Sequence, residues 1–61
     1  MPYVNVRVAG KLTREQKQKI AQGVTEAIAE AIDKPKDSIL VFIDEDSRDN
    51  VAKGGVLLED K

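Results

Sequence analysis

The chain has 61 residues, with ten Lys+Arg against eleven Asp+Glu and neither Cys nor His. That inventory excludes a disulfide framework, a Cys/His zinc site and any His-based acid–base machinery. A net charge of −1 also argues against a nucleic-acid module, which usually carries a basic surplus.

The first predicted strand runs from Tyr3 to Val8 and alternates, with Val4, Val6 and Val8 on one face and Tyr3, Asn5 and Arg7 on the other. The valine face is expected to lie against a helix. Ala9 to Leu12 reads as a turn, and Thr13-Arg14-Glu15-Gln16 as a capping box that opens a helix. The helix is expected to reach Ile32. Its inner face is Ile20, Val24, Ile28 (with Ala27) and Ala31/Ile32, with Lys17, Gln18, Gln22, Glu26 and Glu30 outward. Gly23, costly in mid-helix, suggests close packing against a strand or a neighbouring subunit. Pro35 stops the helix by disfavouring it at Lys34.

A second strand is predicted over Ser38–Asp44. Its centre, Ile39 to Ile43, is apolar without alternation, which marks a strand covered on both faces. Strand, helix and strand in this order make a parallel pair with a right-handed crossover. The polar run Asp44 to Asn50 then reads as a solvated strand end, and it lacks the spacing of a calcium loop. Val51-Ala52-Lys53 and Val56-Leu57-Leu58 flank Gly54-Gly55, a two-residue hairpin turn. The expected fold is α+β, a single domain over residues 1–61. It is a β-α-β subunit with two parallel strands, one helix and a short C-terminal hairpin.

Size and pattern together point to an oligomer. Burial in a compact 61-residue monomer is worth roughly 90 kcal/mol, and ordering the chain costs about the same. One helix covers only one face of a two-stranded sheet, so a second copy is needed for the other. Nothing resembles a signal peptide or a membrane span, and a cytoplasmic protein with no membrane partner is expected.

The catalytic inventory is thin. Gly54-Gly55 is no phosphate loop, Ser38 and Ser47 have no His to activate them, and Lys11, Lys34 and Lys36 read as surface charges. A β-ribbon DNA binder using Tyr3, Asn5 and Arg7 is disfavoured by the charge and by the strand that follows Pro35. One candidate stands out. Removal of Met1 exposes the secondary amine of Pro2, and an α-amino group titrates near 8 when unperturbed. Cations or an apolar pocket pull it toward neutrality, where a general base works best.

Met-Pro-Tyr-Val-Asn-Val at the start, Thr-x-Glu-Gln-Lys at the helix opening, Val-Phe-Ile-Asp-Glu and the closing Gly-Gly hairpin resemble the 4-oxalocrotonate tautomerase family over essentially the whole chain. The resemblance implies a homo-oligomer, a hexamer built from dimers. It further implies a cofactor-independent enol–keto isomerase with no metal, acting on a small 2-hydroxydienoate or enolpyruvate acid, with Pro2 as general base. The family's arginine after the first strand aligns with Leu12, one residue past Lys11. Its second-strand arginine aligns with Leu40, and its aromatic wall with Val51. Lys11, Arg48 and Arg7 are therefore candidates for the missing charge, and Tyr3 for a pocket wall beside Pro2. Diacids are expected to be poorer substrates than monoacids with an apolar or aromatic tail. The alternatives are a tautomerase-fold oligomer with impaired catalysis, or a decarboxylase or hydratase of unsaturated acids using the same proline.

Overall fold

The computed structural model describes all residues from Met1 to Lys61. Strand β1 (Tyr3–Ala9) is followed by helix α1 (Arg14–Ile32), strand β2 (Leu40–Asp46) and a hairpin of β3 (Ala52–Lys53) and β4 (Val56–Leu57). β1 and β2 pair in parallel, from Tyr3 opposite Leu40 to Ala9 opposite Asp46. The fold is α+β, as the order of elements predicts.

Sequence chemistry accounts for each boundary. The Thr13 hydroxyl accepts from the Gln16 N–H at 3.1 Å, and the Gln16 side chain accepts from the Thr13 N–H at 2.9 Å, which completes the capping box. At the far end Asp33 adopts the left-handed conformation (φ 55°, ψ 53°), and Lys34 donates its N–H to the Ala29 carbonyl. Gly54 and Gly55, at φ 61° and 82°, supply the two positive φ values that the β3–β4 turn requires.

The second strand begins two residues later than predicted and ends two residues later. Pro35 seeds a short 3₁₀ turn over Lys36–Ser38, closed by the Ser38 hydroxyl donating to the Pro35 carbonyl at 2.7 Å. The acidic run Asp44–Asp46 then stays in the strand, because Arg7, Val8 and Ala9 lie opposite it. Leu58 leaves the hairpin for a final 3₁₀ turn over Leu58–Asp60.

The helix lies over Val4, Val6 and Val8 of β1 and Val41 and Ile43 of β2, all half-buried. Its inner residues are Ile20, Val24 and Ile28, with Lys17, Ala21, Thr25 and Ala29 beside them. Three expectations are corrected here. Lys17 faces inward because it reaches Glu45, at 2.6 Å. Ala27, Ala31 and Ile32 face outward, since the sheet ends before it can cover the last turns. Gly23 is exposed with open space around it, so no strand of its own chain approaches it.

The opposite face of the sheet is bare. Tyr3, Leu40 and Phe42 remain 71%, 39% and 47% exposed, and not one residue of the chain is fully buried. The accessible surface is 4844 Å², about 900 Å² above that of a compact protein of this mass. A radius of gyration of 14.4 Å and extents of 42 × 23 × 14 Å describe a slab, where a compact domain of this length has a radius near ~10.5 Å. By itself the chain closes no core. The apolar run of β2 has one covered face within the chain, and its second face is left for something else to cover.

Candidate active site

Pro2 precedes β1, and its carbonyl accepts the Leu40 N–H at 3.0 Å. That bond ties the residue to the start of β2 and holds its half-buried ring at a fixed place. The bare face of the sheet at this end is apolar. Tyr3 and Leu40 face each other across the strands, and Phe42 meets Tyr3 edge-on, with ring centroids 6.0 Å apart at 82°. While Met1 is attached the Pro2 nitrogen is an amide with no basic lone pair. Once Met1 is cleaved it is a secondary amine. No basic side chain of this chain takes part in these contacts.

The other end of the sheet is charged. A cleft of about 780 Å³ is lined by Gly10, Lys11, Leu12, Lys17, Glu45, Ser47, Arg48 and Glu59. Glu45 organises it. One carboxylate oxygen takes the Lys17 ammonium at 2.6 Å and the other takes the Leu12 N–H at 2.7 Å. The Lys17 bond, then the Leu12 bond, hold its carboxyl below the usual range. Arg48 sits in a short 3₁₀ turn (Arg48–Asn50) and donates from Nη2 to the Leu58 carbonyl at 2.8 Å, which fixes the guanidinium at the cleft wall.

The candidates thus fall into separate places. Pro2, Tyr3 and Leu40 come together at the start of the strands, and Lys11 and Arg48 come together at their ends. β1 alone, with seven residues, spans about 23 Å between them. Val51 joins neither group. It lines a second cleft with Arg7, Val8, Ala9, Asp46, Asn50 and Ala52, and its carbonyl accepts the Leu58 N–H at 2.8 Å. Arg7 is committed to Asp46 at 2.6 Å, and Asp44 accepts from the Asn5 amide at 3.1 Å.

A family model described as tautomerase enzyme matches residues 2–61. The chain belongs to the tautomerase family. A probable tautomerase of Bacillus cereus is 44% identical over 61 residues, covering all of both chains. The 2-hydroxymuconate tautomerase of Bacillus subtilis is 40% identical over 60 residues, covering 98% of this chain and 97% of that one. Among solved structures, the 4-oxalocrotonate tautomerase homologue YwhB superposes with a TM-score of 0.90 at 38% identity, covering 98% of each chain. A structure concerned with trans-3-chloroacrylic acid dehalogenase activity superposes at 0.78 and 31% identity, over 88% of this chain and 93% of that one. Membership in the tautomerase family makes this an isomerase-type enzyme, in a family whose fold also serves other reactions of small unsaturated acids.

Sequence reasoning missed three members of these clusters: Phe42 beside Tyr3, and Glu45 and Lys17 in the charged cleft. Phe42 was within reach, because it shares the strand phase of Leu40. The Lys17–Glu45 pair joins residues far apart in the chain, and only the crossover brings them together.

Proposed function

We propose that this tautomerase-family chain is a cofactor-independent enol–keto isomerase acting as a homo-oligomer, with the Pro2 amine as general base after Met1 removal. The observation that carries the reading is Pro2 itself, tied through its carbonyl to Leu40 at the start of β2. The amine takes the hydroxyl proton of the enol acid as the C=O bond forms. The displaced π pair captures a proton at the far carbon of the conjugated system, delivered by the same nitrogen. Nothing is oxidised or reduced, and no cofactor enters.

Tyr3, Leu40 and Phe42 favour a substrate whose tail is apolar or aromatic. A second carboxylate against Leu40 would lose its water and gain no partner, and a leucine cannot replace bidentate guanidinium recognition. A monoacid such as phenylenolpyruvate is therefore the better substrate, although a relative bears the name of a diacid tautomerase. A higher kcat/KM for 2-hydroxymuconate than for phenylenolpyruvate would sink this specificity.

The oligomer, a hexamer built from dimers on the family pattern, is supported by the bare sheet face and by the absence of any fully buried residue. The test of the base is Pro2→Ala, assayed on phenylenolpyruvate with protein whose mass shows Met1 removed. Loss of about 10²–10⁴ in kcat is expected. Equal rates would instead favour an impaired scaffold, the second reading, which draws on Leu12 and Leu40 standing where the family's arginines are. Halide release from trans-3-chloroacrylate would favour the third reading, the same amine turned to hydration.

A further inference from the structure

The bare face of the sheet has two unlike halves. Tyr3, Leu40 and Phe42 make its apolar half. Asn5, Arg7, Asp44 and Asp46 lie on the same face further along the strands, by the alternation of the pleat. In register Arg7 stands opposite Asp44, yet the side chains do not pair straight across. Each donor on β1 reaches one step along β2 instead. Arg7 donates from Nε to Asp46 at 2.6 Å, and the Asn5 amide donates to Asp44 at 3.1 Å. This diagonal pattern leaves two groups unspent. Asp44 has only a neutral amide for its charge and makes no ion pair. Arg7, with its side chain 73% exposed, spends Nε and leaves both Nη groups without a partner.

What covers this face follows from area and from charge. The chain exposes about 900 Å² more than a compact protein of its mass. That is close to the roughly 800 Å² each partner contributes to an interface of standard size. A wholly apolar partner would strip water from Asp44 and from the Arg7 Nη groups and return nothing. A second copy brings apolar surface for the apolar half, a carboxylate for Arg7 and a guanidinium for Asp44.

We propose that Arg7 bridges two chains, holding Asp46 of its own chain through Nε and taking Asp44 of a second copy through its Nη groups. The ionic half of the face thereby selects the copy that covers it. This rests on the homo-oligomer of the reading above, and the identity of the base does not enter. In a closed symmetric assembly each copy gives one such contact and receives one, so every Asp44 is paired. Apolar area supplies the attraction, and the charge-assisted pair fixes the register and rejects a mismatched partner.

Sedimentation velocity over a range of protein concentration tests the bridge. Asp44→Asn keeps an acceptor for the Asn5 amide and removes only the charge. Its dissociation constant should rise at least about tenfold, as for loss of one partner of a covered charge pair. Asp44→Lys and Arg7→Glu should each stay dissociated alone, because each sets like charges against one another. Mixed, the two chains should form joint assemblies, counted by native mass spectrometry. One contact then pairs native Arg7 with native Asp44, and the other pairs the two exchanged charges. Asp44→Asn chains that associate as tightly as wild type overturn the bridge and leave the oligomer standing. Reversed-charge chains that assemble alone, or a mixture without joint assemblies, overturn it likewise. Wild type that stays monomeric at every concentration overturns the oligomer reading together with the bridge.

Discussion

The two ends of the β1–β2 sheet share one architecture and carry opposite chemistry. At the start of the strands a tyrosine, a leucine and a phenylalanine form a bare apolar face, and Pro2 is tied to Leu40 by one backbone bond. At their ends a lysine, an arginine and a pinned glutamate form a polar cleft. The apolar end suits a surface that must leave water. The charged end suits a carboxylate that must not be left unpaired. The chain separates the two chemistries along one strand.

The comparison can be broken from either end. Keeping Met1 on the protein, by a processing-deficient expression host, should abolish the amine and cost about 10²–10⁴ in kcat. Intact-mass spectrometry paired with the enol assay checks it, and full activity in methionine-retaining protein would end the base assignment. Next in size is Phe42→Asp, which puts a charge on the bare face beside Tyr3. The variant should sediment as smaller species and unfold far more easily. The wild-type melting temperature should rise with protein concentration, as it must when association stabilises the fold.

Smaller effects probe the joint between helix and cleft. Thr13→Ala removes the hydroxyl that caps α1 and should cost about 1 kcal/mol in chemical denaturation, while raising KM modestly because the Gly10–Leu12 turn loosens. The smallest concerns Glu45. Its carboxyl is held below the ordinary range by Lys17 first and then by the Leu12 N–H. A depressed folded pKa contributes stability that is fully present above the unfolded value and is lost as pH falls through the folded one. Glu45→Gln should therefore melt below wild type at neutral pH, and the gap should close in acid, below the usual carboxylate range. A gap that persists in acid would show that Lys17 and Leu12 do not act through the charge.

Much of this was legible before any coordinates. The alternation of Val4, Val6 and Val8, the Thr13–Gln16 box, Pro35 and the Gly54-Gly55 turn each act within a few residues, so local chemistry suffices to read them. The errors fall where distant segments compete. Asp44–Asp46 reads as a polar turn until Arg7 and Ala9 are set opposite it. Lys17 reads as an outward lysine until Glu45 is brought beneath it. Of the candidate site, Pro2 stands out as a proposal in the sequence because its chemistry is its own. The division between Lys11 and Arg48, which make no ion pair, and Arg7, which does, was invisible because pairing is a property of space.

The opening inventory excluded metal–thiolate, disulfide and histidine chemistry, and no fold can restore side chains that are absent. Sequence by itself therefore determined which bases are absent, the β-α-β order and the shortage of apolar cover within one chain. Tertiary structure decided which cations remain unpaired and how far they lie from Pro2. It also decided which sheet face stays bare, because all three depend on the parallel register that sets Tyr3 against Leu40 and Ala9 against Asp46.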